Sequence, residues 1–193
     1  MTMRVEMEPT KQRADSAIFA PMKRILLSAL LILVALPVFA QHQAVGILFG
    51  TAEGADGDFN FEFDDSVFEV FYATEIELGA EARIKLGRVE TGHDEFLSHF
   101  ESVGDVEIAY LDLLVQYRFD EVFGSTTIFA GPGAYQVDHD GGDESDFGFS
   151  AGVGVRFPVT RRTSVLAEFA YHWANFEKDF DFVNLNIGFR FGF

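Results

Sequence analysis

The chain ends in Val183-Asn184-Leu185-Asn186-Ile187-Gly188-Phe189-Arg190-Phe191-Gly192-Phe193, and this stretch decides the fold class. Apolar residues alternate along it with small or polar ones, which is the period-two pattern of a β-strand whose two faces meet different environments. The apolar face has six consecutive members, at every second position from Val183 to Phe193. The pattern therefore predicts a C-terminal β-strand with one apolar face.

Seven earlier segments show the same alternation. It is clearest near residues 107–119 and 146–159, and it is weaker near 44–52, 66–75, 80–90, 125–137 and 164–175. No long segment with the helical period of 3.6 residues follows residue 41. Together with the last segment, these seven predict an all-β domain of eight strands.

The connections between these segments alternate in character. Those near 53–65, 91–106, 138–146 and 176–181 are acidic and mostly longer, whereas those near 76–79, 119–124 and 159–163 are shorter. This alternation is typical of an antiparallel up-and-down barrel with long loops outside the cell and short turns in the periplasm. The sequence therefore predicts that topology, with both termini in the periplasm.

The N-terminal region carries a secretory signal. Met22-Lys23-Arg24 precedes an apolar run that begins at Ile25, and small residues lead to Ala40. This order predicts a signal peptide over residues 22–40 that is cleaved before Gln41. A signal peptide normally begins at the initiator methionine, so residues 1–21 are interpreted as an extension from a mis-assigned start codon. Residues 41–193 are then the barrel domain.

Composition and charge narrow the function classes. The 193 residues carry a formal net charge of −17, and removing residues 1–40 would leave 28 acidic and 9 basic residues. The mature chain would then carry a net charge of −19, which disfavours nucleic acid as a partner because its phosphates repel acidic proteins. The chain has no cysteine, which excludes a disulfide framework and thiolate chemistry.

Three features favour a lipid-facing barrel over a soluble β-sandwich, which would also present one apolar and one polar face. The polar face consists of Gly, Asn and charges of both signs, which suits a narrow lumen. The apolar faces become aromatic toward their ends, as interfacial girdles do, for example at Tyr171 and Trp173. A closed barrel also satisfies every backbone polar group within the bilayer. We therefore predict an eight-stranded antiparallel up-and-down transmembrane β-barrel.

These segments resemble the family of small eight-stranded outer-membrane β-barrels that includes the OmpA transmembrane domain, OmpX and the opacity-type porin-like proteins. The resemblance covers residues 41–193 and depends on Gly-rich segments at 129–135 and 152–157 and on the terminal segment 188–193. It implies a bacterial outer-membrane location. It also implies that the assembly machinery of that membrane recognises the last apolar residues, which are Leu185, Ile187, Phe189, Phe191 and Phe193.

The alternation places five acidic and five basic residues toward the lumen. They are Glu69, Glu75, Glu81, Asp112 and Glu168 against Arg83, Lys85, Arg118, Arg156 and Arg190. Buried charges need partners, so the sequence predicts a network of ion pairs across the lumen. Because an eight-stranded barrel is just wide enough for side chains, we expect the network to fill the lumen rather than to line an ion path.

Two further motifs invite a functional interpretation. His172 and Asn175 match parts of the His-x-Ser-Asn motif of the lipid A 3-O-deacylase family, but Ala174 occupies the position of the nucleophilic Ser. Without that hydroxyl the ester cannot be attacked by the serine mechanism, so His172 is interpreted as a lumen-edge residue bonded to Glu168 or a neighbour. The loop at 138–146 is a weak candidate for binding a divalent cation through Asp138, Asp140, Asp143 and Glu144.

The sequence thus predicts a non-enzymatic, monomeric barrel without a cofactor. We expect it to stabilise the envelope or to present acidic loops to partners, in contact with outer-membrane lipids and lipopolysaccharide. A narrow channel for small solutes is the main alternative, and a lipid A-modifying enzyme is a less favoured one.

Overall fold

The computed structural model describes residues 42–55, 66–91, 106–139, 142–175 and 180–193. The predicted extension at 1–21 and the predicted signal peptide at 22–40 lie outside these residues. In the described part, the strands are β1 (Gln43–Gly54), β2 (Ser66–Glu77), β3 (Ala80–Thr91), β4 (Val106–Asp120), β5 (Ser125–His139), β6 (Gly142–Pro158), β7 (Thr163–Ala174) and β8 (Phe180–Gly192). No helix among the described residues has the length and hydropathy needed to cross a membrane.

The eight strands close into one barrel in sequence order, and every neighbouring pair is antiparallel. Closure occurs between β1 and β8, whose register runs from Ala44 opposite Gly192 to Gly54 opposite Phe182. The last residue takes part, because the Phe193 amide donates to the Gln43 carbonyl at 2.9 Å. The predicted up-and-down eight-stranded barrel is therefore confirmed.

Both described chain ends, near Gln43 and Phe193, lie at the same end of the barrel, which we call the terminal end. The short turns after β2, β4 and β6 lie there too. Gly79 in the first of these turns has φ of +83°, a left-handed conformation that residues with a Cβ rarely adopt. The opposite end, where the acidic segments connect the strands, is called the distal end.

One predicted boundary is wrong. The sequence around 138–146 was expected to be a loop because it is acidic and Gly-rich, but β5 continues to His139 and β6 begins at Gly142. These strands have 15 and 17 residues, longer than the roughly 9–11 that cross a bilayer. The β5–β6 hairpin therefore extends beyond the membrane at the distal end as a paired ribbon.

The two faces of the wall have the chemistry expected of a membrane barrel. Large apolar side chains are exposed on the outside, and Ile187, for example, keeps 61% of its surface accessible. Polar and charged side chains such as Glu69, Lys85 and Asp112 are fully buried inside. This arrangement is inverted relative to a water-soluble protein and fits an outer surface solvated by lipid.

Candidate functional site: the charged lumen

The lumen is layered along the barrel axis, and the strand register determines which residues share a level. Glycines on the inner face make room for the largest side chains. A Cβ on Gly87 would lie 2.1 Å from the Tyr110 ring, and one on Gly46 would lie 2.2 Å from the Phe71 ring. Small residues on one strand therefore allow aromatic side chains on its neighbour to cross the lumen.

The middle level is a polar group that we call the central cluster, formed by Glu69, Lys85, Tyr110, Asp112, Tyr135, His172 and Asn184. The Lys85 ammonium lies 3.0 Å from Glu69 and 3.9 Å from Asp112. The Tyr110 hydroxyl donates to Glu69, and the Asn184 amide nitrogen lies 3.1 Å from the same carboxylate oxygen. Two carboxylates thus share one ammonium inside the barrel.

His172 lies within this cluster and is 0% exposed, so it is not the lumen-edge residue that the sequence suggested. Its Nδ1 is 3.1 Å from the Tyr135 hydroxyl, and its Nε2 is 3.1 Å from the Asn184 amide nitrogen. Its ring stacks on Phe182 with centroids 4.3 Å apart. Glu168, one of the expected partners, is bonded to Arg83 instead, and the neighbours Tyr135 and Asn184 contact the ring. His172 is therefore a packed, hydrogen-bonded part of the lumen filling.

Nearer the terminal end, Arg83 and Glu168 form a buried pair at 2.6 Å. Arg83 also donates to Gln116 at 3.3 Å, and its guanidinium carbon lies 3.7 Å from the centre of the Phe71 ring. The guanidinium is thus held by a carboxylate, an amide and an aromatic face together. Such combined contacts offset part of the cost of burying a charge.

The lowest level lies at the mouth of the terminal end. Arg190 donates to both oxygens of Glu81, at 2.7 and 2.8 Å, in the bidentate geometry that favours arginine. Arg118 lies 3.5 Å from Glu81 and 2.8 Å from Asp120. Eight of the ten predicted lumen charges therefore form ion pairs with one another at the middle and lower levels.

The remaining two predicted residues depart from the expected network. Glu75 pairs with His42 at 2.9 Å, at the terminal rim and not with a lysine or arginine of the lumen. The Arg156 Nε donates to the Ser164 hydroxyl at 3.1 Å, and none of the ion pairs among the described residues includes Arg156. Alternation along a strand predicts which face a residue occupies, but it does not predict how far along the axis its partner lies.

The highest level, next to the distal end, was not predicted. Apolar side chains from seven strands pack inside the lumen here and form what we call the apolar layer, comprising Ala52, Val67, Val89, Ile108, Val137, Ala174 and Phe182. The sequence signal for this layer is present but short. At the distal ends of β2 and β3, the inward positions change from charged residues to Val67 and Val89 while the alternation continues, and Val137 ends the inward series of β5.

The weak cation candidates do not form a chelating loop. Asp138 lies opposite Asp143 in the β5–β6 ladder, Glu144 lies opposite Val137, and Asp140 is outside the described residues. In the part of the chain that the structure describes, no group of three or more His, Cys, Asp or Glu could hold a metal ion. The five terminal apolar residues from Leu185 to Phe193, by contrast, all lie on the exposed outer face of the C-terminal segment.

Solved structures with this architecture come from several bacteria. The chain is similar to neisserial surface protein A (15% identity, 79% of this chain and 96% of that chain, TM-score 0.60). It is also similar to the N-terminal β-barrel domain of Pseudomonas aeruginosa OprF (16%, 79% and 99%, 0.54) and to the attachment invasion locus protein Ail of Yersinia pestis (16%, 79% and 98%, 0.53). At these identities the similarity concerns the fold alone.

A search of curated proteins gave no match. The sequence profile of the outer membrane protein beta-barrel domain, however, matches residues 26–193, which is most of the chain. Together with the closed eight-stranded barrel, its apolar exterior and its charged interior, this match shows that the chain is a bacterial outer-membrane β-barrel protein of the outer membrane protein beta-barrel domain family.

Proposed function

We propose that this chain is a non-enzymatic barrel that does not conduct solutes and that acts through its acidic distal end, by stabilising the envelope or by binding partners there. The observation that carries this proposal is the apolar layer, because it fills the lumen directly below the distal end. An eight-stranded barrel is just wide enough to be filled by side chains. Ion pairs and two smaller apolar clusters lie below the layer.

The charge of the distal end supports an interaction role. Arg88 is exposed there and pairs with Glu90 and Glu107, each at 2.8 Å. The connecting segments 56–65 and 92–105 add nine acidic residues and no lysine or arginine. With this end outside the cell and the termini in the periplasm, it would attract cationic partners or divalent cations that bridge to lipopolysaccharide phosphates.

The wall of the barrel supports a monomer surrounded by lipid. Closure between β1 and β8 pairs every described strand on both sides, so no strand edge is left for a second copy to extend. The exposed C-terminal face from Leu185 to Phe193 is the surface that we propose for recognition by the outer-membrane assembly machinery. After assembly, the same residues would contact lipid.

An enzymatic role has little support in the site. The histidine of the deacylase-like motif is enclosed by Tyr135, Asn184 and Phe182, so a lipid substrate could not reach its ring. Ala174, at the position of the nucleophile, belongs to the apolar layer. Mass spectrometry of lipid A from cells that overproduce the protein tests this point, and a shortened lipid A would contradict a non-enzymatic role.

A narrow channel is the second candidate, and one observation favours it. Below the central cluster, both amide atoms of Asn186 and the Arg83 Nε are buried without a hydrogen-bond partner among the described residues. Such atoms normally bind water, so the lower half of the lumen has the polarity to be hydrated. A continuous path would still have to cross the apolar layer.

Planar-bilayer recordings distinguish the two candidates. Protein purified from outer membranes is expected to give no discrete conductance steps, whereas regular steps would support the channel. The surface role is tested by binding to lipopolysaccharide vesicles with Mg²⁺ or with a chelator. The double variant Asp138→Asn/Glu144→Gln should weaken the part of this vesicle binding that depends on Mg²⁺. The matched variant Asp120→Asn/Glu121→Gln, at the terminal end, should not, and equal effects would contradict the assignment to the distal end.

A further inference from the structure

We propose that the mouth at the terminal end holds a binding site for a phosphate group, built around the guanidinium of Arg156. This site is at the opposite end of the barrel from the acidic surface described above. It depends on neither the surface role nor the absence of conductance.

The first observation is the state of Arg156 itself. The residue lies at an inward position of β6, two residues before the strand ends at Pro158. Its Nε donates to the neutral Ser164 hydroxyl at 3.1 Å, which orients the guanidinium. Its Nη1 is buried and has no hydrogen-bond partner among the described residues. An arginine held in place with unused donors is prepared to bind an anion.

The second observation is that the neighbouring carboxylates are already occupied. Glu81 accepts both donors of Arg190, and its Oε1 also faces Arg118. Asp120 pairs with Arg118 at 2.8 Å. Arg118, Arg156 and Arg190 thus share two carboxylates, and Arg156 is the arginine of the three that forms no ion pair among the described residues.

The third observation is the sequence of the turn that follows β6. It presents Arg161 and Arg162, both exposed, and the Thr160 hydroxyl accepts the backbone amides of Arg162 and Thr163 at 3.2 and 2.9 Å. The β2–β3 and β4–β5 turn regions at the same end carry acidic residues instead, among them Glu77 and Glu121. The rim of the mouth is therefore basic on the β6–β7 side, from which an anion would approach.

A phosphate group fits this site better than a carboxylate. Its oxygens point in several directions and can accept from guanidinium groups that converge from different strands, whereas a carboxylate offers two coplanar oxygens. Two sources share this chemistry, namely free phosphate and the headgroup of an anionic phospholipid. Phe157 and Val159 are exposed on the outer face beside the turn, which brings the apolar belt close to the rim. The headgroup of an adjacent lipid would therefore lie near the rim of the mouth.

The test uses protein purified from outer membranes in a neutral detergent. Calorimetric titration with inorganic phosphate at constant ionic strength measures the free anion, and native mass spectrometry after incubation with phosphatidylglycerol or an uncharged diacylglycerol measures the lipid. Arg156→Gln is expected to weaken binding of one or both phosphate probes about tenfold, since a charge-assisted hydrogen bond is lost. Arg88→Gln removes the same charge at the distal end and should change binding less than about twofold.

Retention of phosphatidylglycerol without binding of free phosphate would support the site and assign it to lipid, and the reverse result would assign it to a soluble anion. The proposal is overturned if the wild type binds neither probe, if Arg156→Gln binds as the wild type does, or if Arg88→Gln loses as much. The difference in mobility between heated and unheated samples on SDS gels, called the heat-dependent gel shift, shows whether each variant is folded. Should Arg156→Gln fail to fold, Arg156→Lys keeps the charge and removes the planar guanidinium with its several hydrogen-bond donors. It should still weaken binding severalfold, and unchanged binding would overturn the proposal.

Discussion

At the scale of single residues, the lumen shows how a barrel can bury many charges and pair most of them. Lys85 is shared by Glu69 and Asp112, and Asn184 connects Glu69 to His172 through one amide nitrogen. Moving a charge out of water is costly unless a partner and hydrogen bonds replace the lost hydration. The central cluster therefore depends on each member, and the removal of one leaves the others unbalanced.

Lys85→Met tests this dependence. The substitution keeps most of the side chain's length but leaves two buried carboxylates without their shared cation, and breaking a buried pair in this way costs about 3–5 kcal/mol. We expect a correspondingly lower free energy of unfolding, measured by denaturant titration of Trp173 fluorescence in detergent micelles. Arg88→Met removes an exposed pairing and should cost less than about 1 kcal/mol. Similar losses in the two variants would show that the cluster does not stabilise the barrel.

The sequence predicts the inward face of nearly all these residues but not their pairing. Arg83 and Glu168 are 85 positions apart, and they meet because of the registers of several intervening strand pairs. Alternation has a period of two and carries no information about axial position, so a shift of two residues preserves every face and changes every partner. This is why Glu75 and Arg156 were placed in a network that they do not join.

At the scale of the strands, the wall is most constrained where two backbones lie close together. A Cβ on Gly131 of β5 would lie 1.9 Å from the backbone oxygen of Leu113 on β4. Pro132 follows it and has no amide hydrogen to donate to the ladder. The β4–β5 register has no paired positions between Asp112/Gly133 and Val115/Ala130, which places an interruption of the ladder at this point.

Gly131→Ala is expected to be costly for this reason. The new methyl group must displace backbone rather than a flexible side chain, and overpacking of this kind typically costs about 1–3 kcal/mol. The expected result is a lower midpoint of the heat-dependent gel shift. Gly192→Ala is the matched control, since its Cβ would meet nothing closer than 3.7 Å. If both alanine variants melt alike, the close approach at Leu113 is not limiting.

The C-terminal strand contributes a second prediction at this scale. Phe193 is exposed on the outer face, and its backbone amide closes the barrel, so Phe193→Ala removes the side chain and keeps the hydrogen bond. If the assembly machinery recognises this side chain, the variant should reach the outer membrane in lower amount in cells and refold normally in detergent. Phe119→Ala, also exposed on the outer face near the terminal end, should behave as the wild type in both assays. A parallel loss in refolding would contradict a recognition role.

The sequence predicts best the parts of the strands that cross the membrane. Within the bilayer each strand separates lipid from lumen, so alternation is strong, as in β8. The distal part of the β5–β6 hairpin has polar residues along both strands, for example Gln136 opposite Ser145 and Asp138 opposite Asp143. Where the two faces of a hairpin meet similar environments, the sequence shows no period-two pattern. The paired ribbon at this place could therefore not be distinguished from an acidic loop.

At the scale of the whole molecule, the barrel is divided along its axis. The terminal half of the lumen contains the ion pairs together with two smaller apolar clusters around Phe71 and Phe129, whereas the distal part is filled by the apolar layer. A hydrophobic constriction of this kind resists the entry of water and ions even when the wall around it is intact. We therefore expect the layer, more than the ion pairs beneath it, to determine whether the barrel conducts.

Thinning the apolar layer should convert the closed barrel into a leaky one. The double variant Ile108→Ala/Phe182→Ala removes two of its larger side chains and is expected to produce ion conductance in planar bilayers, where we expect the wild type to be silent. The two cavities are expected to lower the free energy of unfolding by several kcal/mol. The heat-dependent gel shift must therefore first show that the variant is folded. Ile187→Ala/Phe189→Ala removes the same side chains from the outer face and should stay silent. A folded but silent interior variant would mean that the central cluster and the ion pairs below it close the lumen on their own.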